Sequence, residues 1–296
     1  MKISLVAYRD TSTVMYNLWR AFQRFTSHEV YFMNTSRVPK WNVYRTPLGK
    51  PINEDIIKSS DFVITKHIGI LKNKFLLQHT DLFILGRRDH THSEQFNQIK
   101  QCDFGHLMTT QPDFAFKSGI TWMPSPTRLY DMVEKYGSVE KLYPPQILCQ
   151  PTNFDLPVHA IRDFDFIISR LSNLEGRFQT ALFHHETQEM AIARKARASI
   201  FFDRIWSAYG MNSKEAGALG CAVVTGVSDV FLRGLESEGF PCGFVNVDNK
   251  REATTEIRKM IVDEDYRVEV ANNSFRHVKE AYNGEISVKR VLEVCD

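Results

Sequence analysis

The stretch from Ser199 to Thr225, SIFFDRIWSAYGMNSKEAGALGCAVVT, holds the residues with the clearest chemical potential. An apolar run ending at Asp203 leads into an irregular segment with Gly210. An Ala- and Gly-rich run follows from Asn212 and Ser213, and then the apolar run Ala222 to Thr225. That order predicts strand, loop, helix and strand, with the helix over Ser213 to Leu219. Gly210 gives the loop backbone angles that other residues avoid, and Asn212 or Ser213 can cap the helix. A helix N-terminus offers free amides and a positive dipole end, which suits a diphosphate. Glu215, placed by this reading as an exposed carboxylate in the first turn, could accept hydrogen bonds from a neighbouring ribose. The same residues also read as an ordinary cap, because acidic side chains favour the first turn of any helix.

A second cluster is Arg87-Arg88-Asp89-His90-Thr91-His92, directly after the apolar run Asp81 to Leu85. The carboxyl ends of parallel strands face ligand crevices. There His90 or His92 could reach a bound ligand, and Arg87 or Arg88 could offset phosphate charge. The alternative is a solvated loop, polar as loops are by default. The His-x-His pair has no partner Cys or His at a metal-site spacing, so no metal site is expected. His67 and Asp10-Thr11-Ser12 also follow apolar runs and invite the cleft argument. His184-His185-Glu186 is a poor metal site, since adjacent side chains of an extended segment point apart, and suits a loop near a nucleotide base. No GxGxxG or Walker loop is present, which argues against dinucleotide or ATP-loop chemistry.

These clusters need strands and helices to position them. Ile3 to Tyr8, His28 to Met33, Asp61 to Thr65, Asp81 to Leu85, Leu107 to Thr110 and Ile120 to Met123 read as short buried strands. An amphipathic run from Val14 to Phe25 and a short helix at Glu54 to Ser60 intervene. Met123-Pro124-Ser125-Pro126 cannot be a helix interior, and the domain boundary is placed just after it, giving domains 1–130 and 131–296. The second half repeats the alternation. Strands are expected at Gln146 to Cys149, Gln179 to Phe183, Ser199 to Asp203, Ala222 to Thr225 and Gly243 to Val247. Helices are expected at Arg162 to Leu171, Thr187 to Ala196, Ser213 to Leu219, Thr255 to Ile261, Arg267 to Tyr282 and Ile286 to Val294. Alternating strands and helices in both halves predict an α/β fold of two Rossmann-like domains.

Composition agrees with this. The 296 residues suit two domains or one large one, and 43% hydrophobic with 24% charged is ordinary for a globular chain. A net charge of +2 does not predict nucleic-acid binding. The five cysteines are widely spaced without a CxxC, so most are expected as buried thiols in a reducing compartment. No apolar run is long enough to span a bilayer or to act as a signal core, and a cytoplasmic location without a membrane span is expected.

The run Tyr209-Gly210-Met211-Asn212-Ser213-Lys214-Glu215-Ala216-Gly217-Ala218-Leu219-Gly220, then Ala222-Val223-Val224, resembles the donor-site signature of GT4-like retaining GT-B glycosyltransferases. The residues Lys195 to Asp203, Gln150-Pro151-Thr152-Asn153, Thr110 to Asp113, Trp122 to Pro126 and Val262 to Arg267 support the resemblance along the chain. It implies a GT-B fold with a cleft between two Rossmann-like domains and a last helix crossing back onto the first. It implies transfer of a sugar from a nucleoside-diphosphate sugar, as substrate and not cofactor, to an acceptor hydroxyl, with retention and without metal. Glycan, lipid and small-molecule acceptors are all compatible, DNA less so. By the same resemblance, Gly210, Met211, Asn212, Ser213, Glu215, Thr152, Asn153 and Arg162 belong to the nucleotide-sugar site, and Arg88, His90 and His92 to the catalytic side. Two departures stand out. Ser207 occupies the place of the family's first motif glutamate, and His159-Ala160-Ile161 that of its Lys-Gly-Thr, with Arg162 adjacent as a substitute. They motivate the alternative of a non-catalytic nucleotide-sugar or carbohydrate-binding protein on the same fold.

Overall fold

A computed structural model describes residues 1–7, 13–34, 50–66, 68–86, 93–151, 157–183, 187–205 and 208–295. Among these residues the chain separates into two compact units, one formed by 1–126 with 282–295, the other by 127–281.

In the first unit, β1 (Lys2–Ala7), α1 (Val14–Phe25) and β2 (Glu29–Asn34) form the opening strand–helix–strand unit. After α2 (Glu54–Lys58) come β3 (Phe62–Lys66), α3 (Lys74–Gln78), β4 (Leu82–Leu85), α4 (Ser93–Lys100), β5 (His106–Thr109), α5 (Pro112–Ser118) and β6 (Thr121–Trp122). The strands pair in parallel in the order β2-β1-β3-β4-β5-β6. β3 and β4 are buried along their whole length, as expected of a parallel sheet covered on both faces. The predicted strands match to within a residue or two. The short helices α3, α4 and α5 were not read from the sequence, although Asn73 caps α3 by accepting from the Leu76 amide.

Residues 282–295 return to this unit. Ser287 in α13 (Glu285–Leu292) donates to the Pro124 carbonyl at 2.6 Å, and Trp122 packs edge-on against Tyr282. Gly284 enters this helix at φ 98°, and a Cβ there would lie 2.8 Å from that of Ala21 in α1. Glycine is therefore needed twice over, for backbone angle and for space.

The second unit holds α6 (Leu129–Tyr136), β7 (Gln146–Cys149), α7 (Pro157–Arg170), β8 (Gln179–Leu182), α8 (Gln188–Arg197), β9 (Ile200–Ile205), α9 (Met211–Ala218), β10 (Ala222–Gly226), α10 (Asp229–Ser237), β11 (Val245–Asn246), α11 (Lys250–Val262) and α12 (Glu264–Ala281). Its sheet is again parallel, in the order β11-β10-β9-β7-β8. Its core joins Ile147, Phe164, Ile167, Ile200, Phe202, Val224, Ile257 and Met260 from β7, α7, β9, β10 and α11. α6 and α10 were not read from the sequence; the latter is capped by Ser228, which accepts from the Phe231 amide. Helix α7 opens at Pro157, five residues ahead of the expected Arg162, and proline suits the first turn of a helix because it needs no amide donor there.

All five cysteines are free thiols. The expectation that most are buried is corrected: only Cys149 and Cys221 are, while Cys102, Cys242 and Cys295 are partly exposed. No helix among the described residues is long and apolar enough to cross a membrane.

Candidate functional site

Helix α9 follows β9 and precedes β10, two neighbouring central strands, so its N-terminus lies beside the carboxyl end of the second sheet. It begins at Met211, with Gly210 as the extended N-cap and no capping side chain. Asp203, on β9, sits under that entry and accepts from the Ser213 hydroxyl at 2.6 Å and from the Gly210 amide at 3.5 Å. The helix is buried nearly all round. Gly217 permits this, because a Cβ there would lie about 3.0 Å from Phe244 and from Val278 of α12.

Three corrections follow for the predicted site. Asn212 and Ser213 are not caps but the second and third residues of the helix. Gly210 is extended, at φ −103°, an angle that any residue adopts, so the expectation that this position needs the backbone freedom of glycine is corrected. Glu215 is the fifth residue, in the second turn, and it is buried rather than exposed, at 3%. Its Oε2 accepts from Lys195 Nζ at 2.6 Å and its Oε1 from Gln188 Nε2 at 3.3 Å, both from α8. Lys195, fully buried, also donates to Asn212 Oδ1 at 2.8 Å. Asn212 Nδ2 in turn donates to the Gln150 carbonyl just past β7, at 2.7 Å. A buried charge persists only when paired and hydrogen-bonded, and here the pair fastens α8, α9 and the end of β7 together.

On another side of α9, Lys214 is buried near Tyr209, whose ring centroid is 5.9 Å from its ammonium. The Tyr209 hydroxyl shares a 2.7 Å hydrogen bond with His277 Nε2 on α12. Burial pulls the Lys214 pKa down to about 7. Burial, reinforced by the Lys214 charge, pulls that of His277 down to about 4, although a bond with the Pro241 backbone opposes this.

Among the predicted site residues, the structure brings together Gly210, Met211, Asn212, Ser213 and Glu215. Arg162 is on the exposed side of α7, and no described contact ties it to α9. Thr152, Asn153, Ser207, His67, His184 to Glu186, Asp10 to Ser12, and Arg88, His90 and His92 with the rest of 87–92, lie outside the described residues. Sequence reasoning missed Lys195, Gln188 and Lys214. A signal for the first two was present: Gln188, Ala191, Ile192, Lys195 and Ala196 fall on one helical face, which is the buried one.

No protein-family model and no curated protein matches the chain in sequence. Solved structures do match in fold over its whole length. An α-glucosyltransferase, solved with UDP-glucose and DNA containing an abasic site, aligns with a TM-score of 0.68 at 10% identity, covering 99% of this chain and 98% of that one. WaaG, a glycosyltransferase involved in lipopolysaccharide biosynthesis, aligns at 0.55 and 12% identity, covering 99% of each. The fold is GT-B. A putative UDP-N-acetylglucosamine 2-epimerase from Listeria monocytogenes also shares this GT-B arrangement, at 0.59 and 9% identity, covering 98% of this chain and 95% of that one. The GT-B architecture therefore accommodates more than one reaction, and the chemistry must be argued from the site.

Proposed function

We propose that the protein is a glycosyltransferase that takes a nucleoside-diphosphate sugar at the N-terminus of α9 and passes the sugar to an acceptor hydroxyl. The observation that carries this reading is the end-to-end fold likeness to an α-glucosyltransferase solved with UDP-glucose. The uncapped start of α9 at the carboxyl end of the sheet supports it. The amides of Met211, Asn212 and Ser213 meet the diphosphate, where the helix dipole favours negative charge. Glu215 takes the ribose hydroxyls as acceptor, a carboxylate offering about four lone-pair sites to its donors. Thr152, Asn153 and Arg162 complete the nucleotide side, and Arg88, His90 and His92 serve the reacting sugar. Transfer proceeds with retention and without metal, as the motif resemblance implies. The charge on the leaving diphosphate is met by oriented amides and basic side chains.

The test is incubation with UDP-, GDP-, ADP- and dTDP-sugars, with mass spectrometry of the products against oligosaccharide, lipid, small-molecule and duplex DNA acceptors. A glycosylated acceptor with release of the nucleoside diphosphate is the expected result. Interconversion of the sugar nucleotide without transfer would make the protein an epimerase. Binding without turnover would make it a nucleotide-sugar-binding protein, the outcome suggested by Ser207 and His159 in place of the family's Glu and Lys. Absence of nucleotide binding would refute the donor site altogether.

A further inference from the structure

Lys195 stands outside the donor-site signature, yet its ammonium reaches two positions of α9 at once. It donates to Asn212 in the first turn at 2.8 Å and to Glu215 in the second at 2.6 Å. Asn212 passes the constraint on to the Gln150 carbonyl at the end of β7. Gln188 holds the other Glu215 oxygen from the opposite end of α8. Nothing in this network is exposed: Lys195 is 0% accessible, Glu215 3% and Asn212 6%. The strands beneath are fixed by their parallel ladders. Helix α9 has eight residues, and the buried ammonium gives two of them, Asn212 and Glu215, directional bonds.

We propose that Lys195 is a positioning residue of the donor site. It holds the first two turns of α9 at the end of β7, so that the amides of Met211, Asn212 and Ser213 stand where a β-phosphate can meet them. It also offsets the Glu215 charge, which would otherwise sit five residues into the helix and weaken the attraction of its N-terminus for an anion. This rests on the donor-site reading given above. A residue that only stabilised the fold would affect all nucleotides alike. A residue that positions the amides affects the diphosphate more than the base and ribose.

The experiment is calorimetric titration of UDP and UMP, and likewise GDP with GMP, ADP with AMP and dTDP with dTMP, against the full chain and two variants. Lys195→Met removes the ammonium. Asn212→Ala cuts the link to β7 while leaving the Lys195–Glu215 pair in place, and it carries the test if Lys195→Met fails to fold in a thermal melt. For the best-binding nucleotide, the preference for diphosphate over monophosphate should fall about tenfold in each folded variant, the worth of one charge-assisted hydrogen bond. Monophosphate affinity should fall by less, because there only the contact of Glu215 with the ribose, common to both nucleotides, is disturbed. Equal losses for diphosphate and monophosphate, or no loss, overturn the positioning role while leaving the donor site intact. If the unaltered protein binds none of these nucleotides, the donor site itself falls, and the role of Lys195 with it.

Discussion

Replacing Lys214 with methionine should stabilise the protein, and by an amount that depends on pH in a way few substitutions can imitate. Lys214 is buried, and burial alone draws its pKa from 10.5 down to about 7. The sign follows from linkage. Between about pH 7 and pH 10.5 the unfolded chain carries a proton on this amine and the folded chain does not, so stability rises with pH across that window. The slope approaches 1.36 kcal/mol per pH unit. Between about pH 7.5 and pH 9.5 the unaltered protein should therefore gain roughly 2.5 kcal/mol from this one group. The Met variant has no such term, and His277, whose pKa of about 4 owes part of its shift to the Lys214 charge, is neutral in the folded protein across this window. The stability advantage of Lys214→Met over the parent should thus be about 2.5 kcal/mol larger at the lower pH. Denaturant unfolding of both chains at the two pH values, followed by circular dichroism, measures it. An advantage that is the same at both pH values would show that Lys214 keeps its charge in the folded protein, and the argument from burial would be wrong.

Glu215→Gln should weaken binding of the nucleoside diphosphate by ten- to a hundred-fold, about the worth of a hydrogen bond to a charged acceptor. It should also destabilise the fold by about 3 kcal/mol, because it leaves the buried Lys195 ammonium without its counter-charge; calorimetric titration and thermal melts read the two effects, and an unchanged melting temperature would contradict the buried pair. Gly284→Ala forces a side chain into φ 98° and against Ala21. It should cost about 1–3 kcal/mol by strain and overpacking while leaving nucleotide affinity unchanged, and a fall in that affinity would show that the entry to α13 affects the donor site. The pair His90→Ala and His92→Ala should reduce sugar transfer by more than about tenfold, within the range of acid–base catalysis, with little change in melting temperature. Unchanged turnover would return 87–92 to a solvated loop.

Strand after strand was legible in the order of residues, because a parallel strand covered on both faces must be a short apolar run bounded by polar residues. β7 was read to the residue, and β1 to β5 to within one or two. The alternation of these runs with amphipathic helices was enough to name a Rossmann-like pair of sheets, and the motif around Glu215 was enough to point to α9. The five-residue α2 was read, but α3 and α5 escaped, because a five- to seven-residue segment shows at most two turns of a period. The state of Glu215 escaped for a different reason. Position along a helix is local, but exposure depends on which neighbour covers that face, and the neighbour is Lys195, twenty residues earlier on another helix. Lys214 is the same case: its burial beside Tyr209, with His277 of α12 near enough to feel its charge, is decided by packing and not by its place near the start of a helix. The sequence by itself determined the strands and the place of α9 between β9 and β10, since both follow from short-range pattern. Tertiary structure alone decided which charges lie out of water and what each is paired with, because desolvation is set by atoms that the chain brings together from afar.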